Sequence, residues 1–198
     1  MKKNLFLIAA LVLGATAAVS TNVSAADTAT SSDGKGTATL NITAGTFSQV
    51  GAPSFSFETK MDNKLVTGTA TAKSKEPDQS FKVSDYTGTD SGWTVTAQLG
   101  AFNNADVHVR ALVIPAGTIA AAVDNKDGKI SSAEANLTAG GAASTIASAV
   151  KTGAGDTTFS YAEKSATLNF DKNTKVAAAK ADLTWTATPT VASGASFN

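Results

Sequence analysis

From Trp93 to Leu99 the side chains alternate in character: Trp93, Val95, Ala97 and Leu99 share one parity, and Thr94, Thr96 and Gln98 share the other. A period of two predicts a strand with one buried face. Leu183, Trp185 and Ala187 repeat the pattern against Thr184 and Thr186, and these two runs hold both tryptophans of the chain. Shorter alternating segments are Ala38-Leu40-Ile42, Phe55 and Phe57 within Ser54 to Thr59, Leu65 through Ala72, Phe81 to Val83, Asp106 to Ile114, Phe159 to Tyr161 and Leu168 to Phe170. Turn chemistry separates them at Gly51-Ala52-Pro53, Asp62-Asn63 and Glu76-Pro77-Asp78. Many short strands with regular turns predict an all-β fold, an antiparallel β-sandwich or barrel-like domain whose order starts near Thr37.

Residues 115–158 break this regularity. Pro115-Ala116-Gly117 ends a strand, and Ser131 to Val150 holds enough alanine for a helix, yet Gly140-Gly141 interrupts it and no 3.6-residue period is kept. The stretch reads as a long irregular insertion with a helical turn near Ala133 to Leu137 and some strand. Long excursions from compact domains often carry function, which makes this one a candidate recognition surface.

The N-terminus changes the setting. Lys2-Lys3, an apolar run from Leu5 to Val19 and the small-x-small sequence Val23-Ser24-Ala25 form the pattern of a secretory signal peptide over residues 1–25. The apolar run is shorter than the roughly 20 residues that span a bilayer, so the chain is expected to be exported and not membrane-spanning. A Ser/Thr/Gly-rich flexible lead covers residues 26–36, and residues 37–198 suffice for one domain with a core. The 16 basic and 16 acidic side chains cancel, and losing Lys2 and Lys3 leaves 14 against 16. Such a balance generates no field that would gather nucleic acid or anionic polymer, so a partner must be recognised locally. Cysteine is absent, so stability must come from packing, and a cysteine-linked lipid anchor is ruled out. Thr190 to Asn198 carries no sortase-type sorting sequence, and surface retention would therefore be non-covalent.

Little in the sequence suggests catalysis. His108 is the single histidine, and with no cysteine it assembles neither a zinc site nor a Cys-His pair. Asp85 and Asp90 are a carboxylate pair, but their Gly/Thr-rich turn offers no reason for a raised acid pKa, and they read as surface turn residues. Asp171, Lys172, Lys175 and Lys180 form a dilute charged patch, read as a solvated face. The one metal candidate is a calcium-type loop from Asp124 to Glu134. Gly128 at the sixth position of the EF-hand pattern places Asn125, Asp127 and Glu134 at the third, fifth and twelfth, but leaves Val123 where a first carboxylate belongs. No other cofactor is expected. Trp93 and Trp185 could stack against sugar rings, yet both lie on the apolar parity of their strands, which favours core packing.

Gly92-Trp93-Thr94-Val95-Thr96-Ala97 after a turn, followed roughly ninety residues later by Leu183-Thr184-Trp185-Thr186, resembles the two signatures of the WxL-domain surface proteins of low-GC Gram-positive bacteria. The resemblance covers essentially the whole mature chain. It carries over Gly92, Trp93, Val95 and Ala97 from the first motif and Leu183, Thr184 and Trp185 from the second. Two positions depart from it: Val176 to Ala181 stands where a tyrosine often precedes the second tryptophan, and Ala187 replaces the usual leucine. The resemblance implies a non-catalytic, secreted cell-surface protein attached non-covalently to the wall, with peptidoglycan as ligand. It also implies partners, namely a membrane-anchored WxL-interacting protein and larger surface proteins. A protein-interaction subunit docking on that membrane-anchored partner or on a host matrix protein is the alternative.

Overall fold

The computed structural model describes residues 38–121 and 128–190. The chain divides into two compact units, Met1–Asn41 and Ile42–Asn198. Of the first unit only 38–41 are described, as exposed chain outside any strand. The signal-peptide and lead segments lie outside the described residues.

The second unit is all-β and fully antiparallel, and it contains three four-stranded sheets. The first joins β1 (Phe47–Val50), β3 (Gln79–Asp85), β10 (Gly155–Tyr161) and β6 (Thr118–Ala121) in that order. The second runs β2 (Thr71–Lys73), β11 (Thr167–Phe170), β5 (Val109–Ile114), β8 (Ala135–Thr138). The third runs β12 (Leu183–Pro189), β4 (Gly92–Leu99), β9 (Ser144–Val150), β7 (Lys129–Ser132). No sheet closes on itself, so the fold is sandwich-like and not a barrel.

The sheets meet over an aromatic centre. Phe81 of β3 stacks on Phe159 of β10 with ring centroids 4.9 Å apart, and the Trp93 indole meets Phe159 edge-on at 5.8 Å. Trp185 leans against Phe81 at 5.4 Å and Tyr161 at 6.1 Å. Such pairs each add about 0.5–1.5 kcal/mol beyond the burial of their area. Val83, Val95, Ile114, Leu137 and Ile146 fill the space around the rings.

Several elements differ from the sequence expectation, each for a local reason. The expected irregular insertion over 115–158 instead supplies β6, β7, β8, β9 and most of β10. Its central strand β9 hides its period because the β4–β9 register shifts between Val95 and Thr96, which buries Ile146 and Ala147 consecutively. The helical turn expected near Ala133 to Leu137 is part of β8, paired with β5 through Leu112↔Leu137. A second register shift, between Asn169 and Phe170, leaves Arg110 without a partner residue and reverses the inward parity of β5 from Val109 to Leu112 and Ile114. Within Leu65 to Ala72, the first half is a short helix α1 (Asn63–Thr67), because Asp62 accepts a bond from the Leu65 N–H at 3.1 Å and Gly68 takes the left-handed C-cap at φ 80°. Only Thr71–Lys73 is strand. Ser54 to Thr59 makes a single bridge, Phe57 with Ser74. Ala38 to Ile42 joins no sheet, and Leu40 and Ile42 are 82% and 83% exposed.

Tyr161 carries a testable cost. Its ring is buried in the aromatic centre, its hydroxyl has no hydrogen-bond partner among the described residues, and burial pushes its pKa up to about 12. An unpaired buried hydroxyl costs about 1–3 kcal/mol, so Tyr161→Phe is expected to hold or raise stability in urea unfolding, unlike most aromatic substitutions here. Because the folded state holds the phenol proton more tightly than the unfolded chain, the stability Tyr161 confers is complete below pH 10 and declines as pH rises from 10 towards 12. The Phe variant should lose that part of the alkaline decline, and an unchanged alkaline profile would refute the assignment.

Candidate functional site

Both sequence motifs fall in one sheet, as direct neighbours. β12 pairs with β4 in the register Leu183↔Leu99, Trp185↔Ala97, Ala187↔Val95 and Pro189↔Trp93. Their apolar parities therefore face the same side, and their hydroxyl parities face the other.

On the inner side the two tryptophans do different things. Trp93 is completely buried, and its Nε1–H donates to the Gly153 carbonyl at 3.3 Å in the β9–β10 connection. That approach requires Gly153, whose φ is 103° and whose Cβ, if present, would collide with the indole nitrogen. Gly92 is required on the neighbouring strand: its φ is 88°, and a Cβ there would run into the Ala149 carbonyl of β9. Val95 and Ala97 are fully buried beside Trp93. Trp185 is half-buried, and its Nε1–H donates to the Pro53 carbonyl at 2.9 Å. It thereby fixes the start of the 53–59 segment.

On the outer side the third sheet presents a hydroxyl plate. Cross-strand pairs share a face, so Thr188, Thr94, Ser148 and Ser131 form one row across all four strands. Thr186, Thr96 and Thr145 form the next, and Thr184 beside Gln98 begins a third. Thr184, Thr186, Thr188, Gln98 and Thr145 are exposed, and the inner members are half-exposed. Ser131 and Ser148 bond to each other at 3.0 Å, and Gln98 donates to the Gly141 carbonyl at 2.9 Å. Among the described residues of this face the charges lie at its margins, Lys129 at one corner and Asp182 one row beyond Thr184 of β12, opposite Gly100. The plate can offer hydrogen bonds to a neutral polyhydroxyl ligand over several repeats.

A second feature is a cleft of about 720 Å³ walled by residues 52–59 and 174–183. Its floor is apolar, with Leu65, Leu112, Leu168 and Phe170. Trp185 touches it only indirectly, through the Pro53 anchor. Val176 to Ala181, where the expected tyrosine is missing, forms one wall.

The remaining sequence candidates are dispersed. Of the calcium-loop ligands, Asn125 and Asp127 lie outside the described residues and Glu134 is exposed just before β8. Among the described residues no three His, Cys, Asp or Glu side chains cluster as a metal site. His108 is exposed, and its backbone is tied to Thr174, whose hydroxyl accepts from the His108 N–H and donates to its carbonyl. Asp85 corrects the surface-turn expectation: it is buried, and its carboxylate accepts from the Thr87 N–H at 3.0 Å and hydroxyl at 2.6 Å, closing an Asx-type turn before the GW strand. Asp90 is exposed in the same turn with φ 49°. The charged patch is dispersed into ion pairs, Lys175 with Asp106 at 2.6 Å and Arg110 with Asp171 at 4.0 Å.

Sequence reasoning missed Gly153, Pro53 and the outer plate. The plate had a signal, since from Thr94 on every polar-parity position of both motif strands is a hydroxyl or amide residue.

Comparison with models of known protein families gives a match to the WxL domain, described as surface cell wall-binding, over residues 21–190. The chain belongs to the WxL family. No curated protein and no solved structure matches it. The match spans nearly the whole sequence, so the WxL fold of this chain is the three-sheet unit, and the paired motif strands β4 and β12 stand at one edge and the centre of a single sheet. Membership makes this a surface cell wall-binding domain. No helix among the described residues is long and apolar enough to cross a membrane.

Proposed function

We propose that this WxL domain attaches the protein non-covalently to peptidoglycan, without catalysing a reaction on it, and that the outer plate of the third sheet makes the contact. The observation that carries this reading is the plate itself: from Thr94 on, the two motif strands put threonine or glutamine at each outward position, and β9 and β7 continue the rows with Thr145, Ser148 and Ser131. Threonine is also a good strand former, but strand propensity alone gives no reason for the near absence of charge. The sugar backbone of peptidoglycan is rich in hydroxyl and acetamido donors and acceptors, so it matches a broad hydrogen-bonding surface with few charges. Export through the signal peptide at residues 1–25 and residence at a Gram-positive surface are part of the same reading.

The test is co-sedimentation of the purified protein with protein-free peptidoglycan sacculi. Saturable binding is expected, and the triple variant Thr184→Val, Thr186→Val, Thr188→Val should weaken it at least tenfold. Valine keeps the shape and the strand preference, so circular dichroism should be unchanged. Undiminished binding by the folded triple variant would remove the plate from the contact. If the unmodified protein stays in the supernatant, peptidoglycan is not its ligand. Adding calcium to the same assay tests the Asn125, Asp127 and Glu134 loop.

A further inference from the structure

The cleft is bordered by two chain segments, 53–57 and 178–182, that lie outside every named strand and each leave one side of their backbone unpaired. Along the first wall, Ser56 turns its backbone towards β2: its carbonyl accepts from the Lys75 N–H at 3.0 Å and its own N–H is bonded by Glu76. Backbone groups alternate along an extended chain, so Phe55 and Phe57 turn theirs to the opposite, free edge. Along the second wall the even residues are engaged with 100–104. Asp182 O accepts from Gly100 N at 2.8 Å, Lys180 O from Asn103 N at 2.9 Å, and Ala178 O from the Asn104 side chain at 3.1 Å. Lys180 N donates to Asn103 Oδ1 at 2.8 Å. Ala179 and Ala181 therefore turn their N–H and C=O groups the other way. Phe57 faces Ser74 across the isolated bridge, but among the described residues none of these four positions makes a backbone hydrogen bond of its own. Two free edges over an apolar floor make a slot with the geometry of strand addition, in which backbone bonds supply affinity and alternate side chains fill the floor.

The same chain holds a segment outside any sheet whose sequence alternates like a strand. Ala38-Thr39-Leu40-Asn41-Ile42-Thr43 has the alternation of a half-buried strand, yet among the described residues it pairs with nothing and leaves Leu40 and Ile42 almost fully exposed. Six residues extend about 20 Å, a length typical of a strand in a sheet. In this segment the apolar parity would meet the floor, and the polar parity, Thr39, Asn41 and Thr43, would remain in water.

We infer that Ala38–Thr43 of one copy inserts as a strand into the cleft of a second copy, linking WxL domains head to tail. The contact is heterologous, so each copy offers one strand and one slot, and association continues beyond the dimer unless a ring closes.

Three purified proteins test this by sedimentation velocity over a range of concentrations. The unmodified protein should form dimers and longer oligomers as concentration rises. Leu40→Asp with Ile42→Asp removes the donor strand at positions that touch nothing, so the fold should persist by circular dichroism while association weakens more than tenfold. Ala179→Arg blocks the slot and should do the same. Each variant alone should be monomeric, and an equal mixture should form a species that stops at two chains, because one variant keeps its slot and the other its strand. Association that survives the donor substitutions would overturn the inference, as would a mixture that stays monomeric. A compact monomer at all concentrations for the unmodified chain would overturn it in favour of an empty slot or closure within one molecule.

Discussion

Replacing Trp93 by alanine is expected to cost about 3–5 kcal/mol of stability, the range for deleting a large buried aromatic side chain. Trp93 has no exposed surface, meets Phe159 edge-on, and holds the β9–β10 connection through its bond to Gly153. The indole therefore joins the motif sheet to the first sheet, and its loss leaves a cavity between them together with an unpaired carbonyl. Urea unfolding should show a large drop in midpoint, and wall binding should vanish in proportion to the folded fraction lost. Trp185→Ala should lose less stability, since that side chain is only half-buried. Its distinctive effect should be on residues 53–59, which lose their anchor at Pro53, and hydrogen exchange there should rise. Equal stability losses for the two tryptophans would contradict this division of labour.

Gly92→Ala should be nearly as damaging, although it adds one methyl group. The left-handed backbone at φ 88° alone costs an L-residue about 1–2 kcal/mol. The added Cβ also meets the Ala149 carbonyl, a backbone atom held in the β4–β9 ladder, so relief requires the two central strands of the sheet to part. Gly88 provides the comparison, because its φ of 70° is also positive but a Cβ there would meet nothing within 4 Å. Gly88→Ala should show the conformational penalty alone. The difference between the two variants in chemical denaturation measures the crowding at the start of the GW motif, and two equal losses would mean that β9 yields freely.

How much of this was legible in the sequence follows from how regular each strand is. β4 and β12 have clean alternation and no bulge within their mutual pairing, and both were readable down to the residue. β9 is as central as β4, but a register shift puts Ile146 and Ala147 inward in succession and its small residues imitate a helix. β6 and β7 have four residues each, too few to establish a period. Ala38 to Ile42 shows the opposite failure: its pattern is that of a strand, but the pattern says nothing about whether a partner edge is within reach. At the site, the tryptophans were visible because they are rare, whereas Pro53 matters through a carbonyl that any residue possesses and Gly153 through a close approach to Trp93 that only the fold reveals. The buried Asp85 was misjudged because its partners are groups of Thr87, and a local turn of that kind shields a carboxylate that composition would leave in water.

The pairing of β4 with β12 also sets the order in which the domain can form. β3 waits for β10, β2 for β11, and the strand bearing the first motif gains one of its two neighbours only from Leu183–Pro189. Contacts between such distant stretches must overcome loop-closure entropy before they gain anything, and folds dominated by them are slow to assemble. A chain that emerges from its N-terminus therefore keeps one edge of β4 unpaired until the last strand is available, and leaves Trp93 without Phe159 until β10 follows β9. On the proposed export of the chain, that delay would keep it threadable until the second motif has come through.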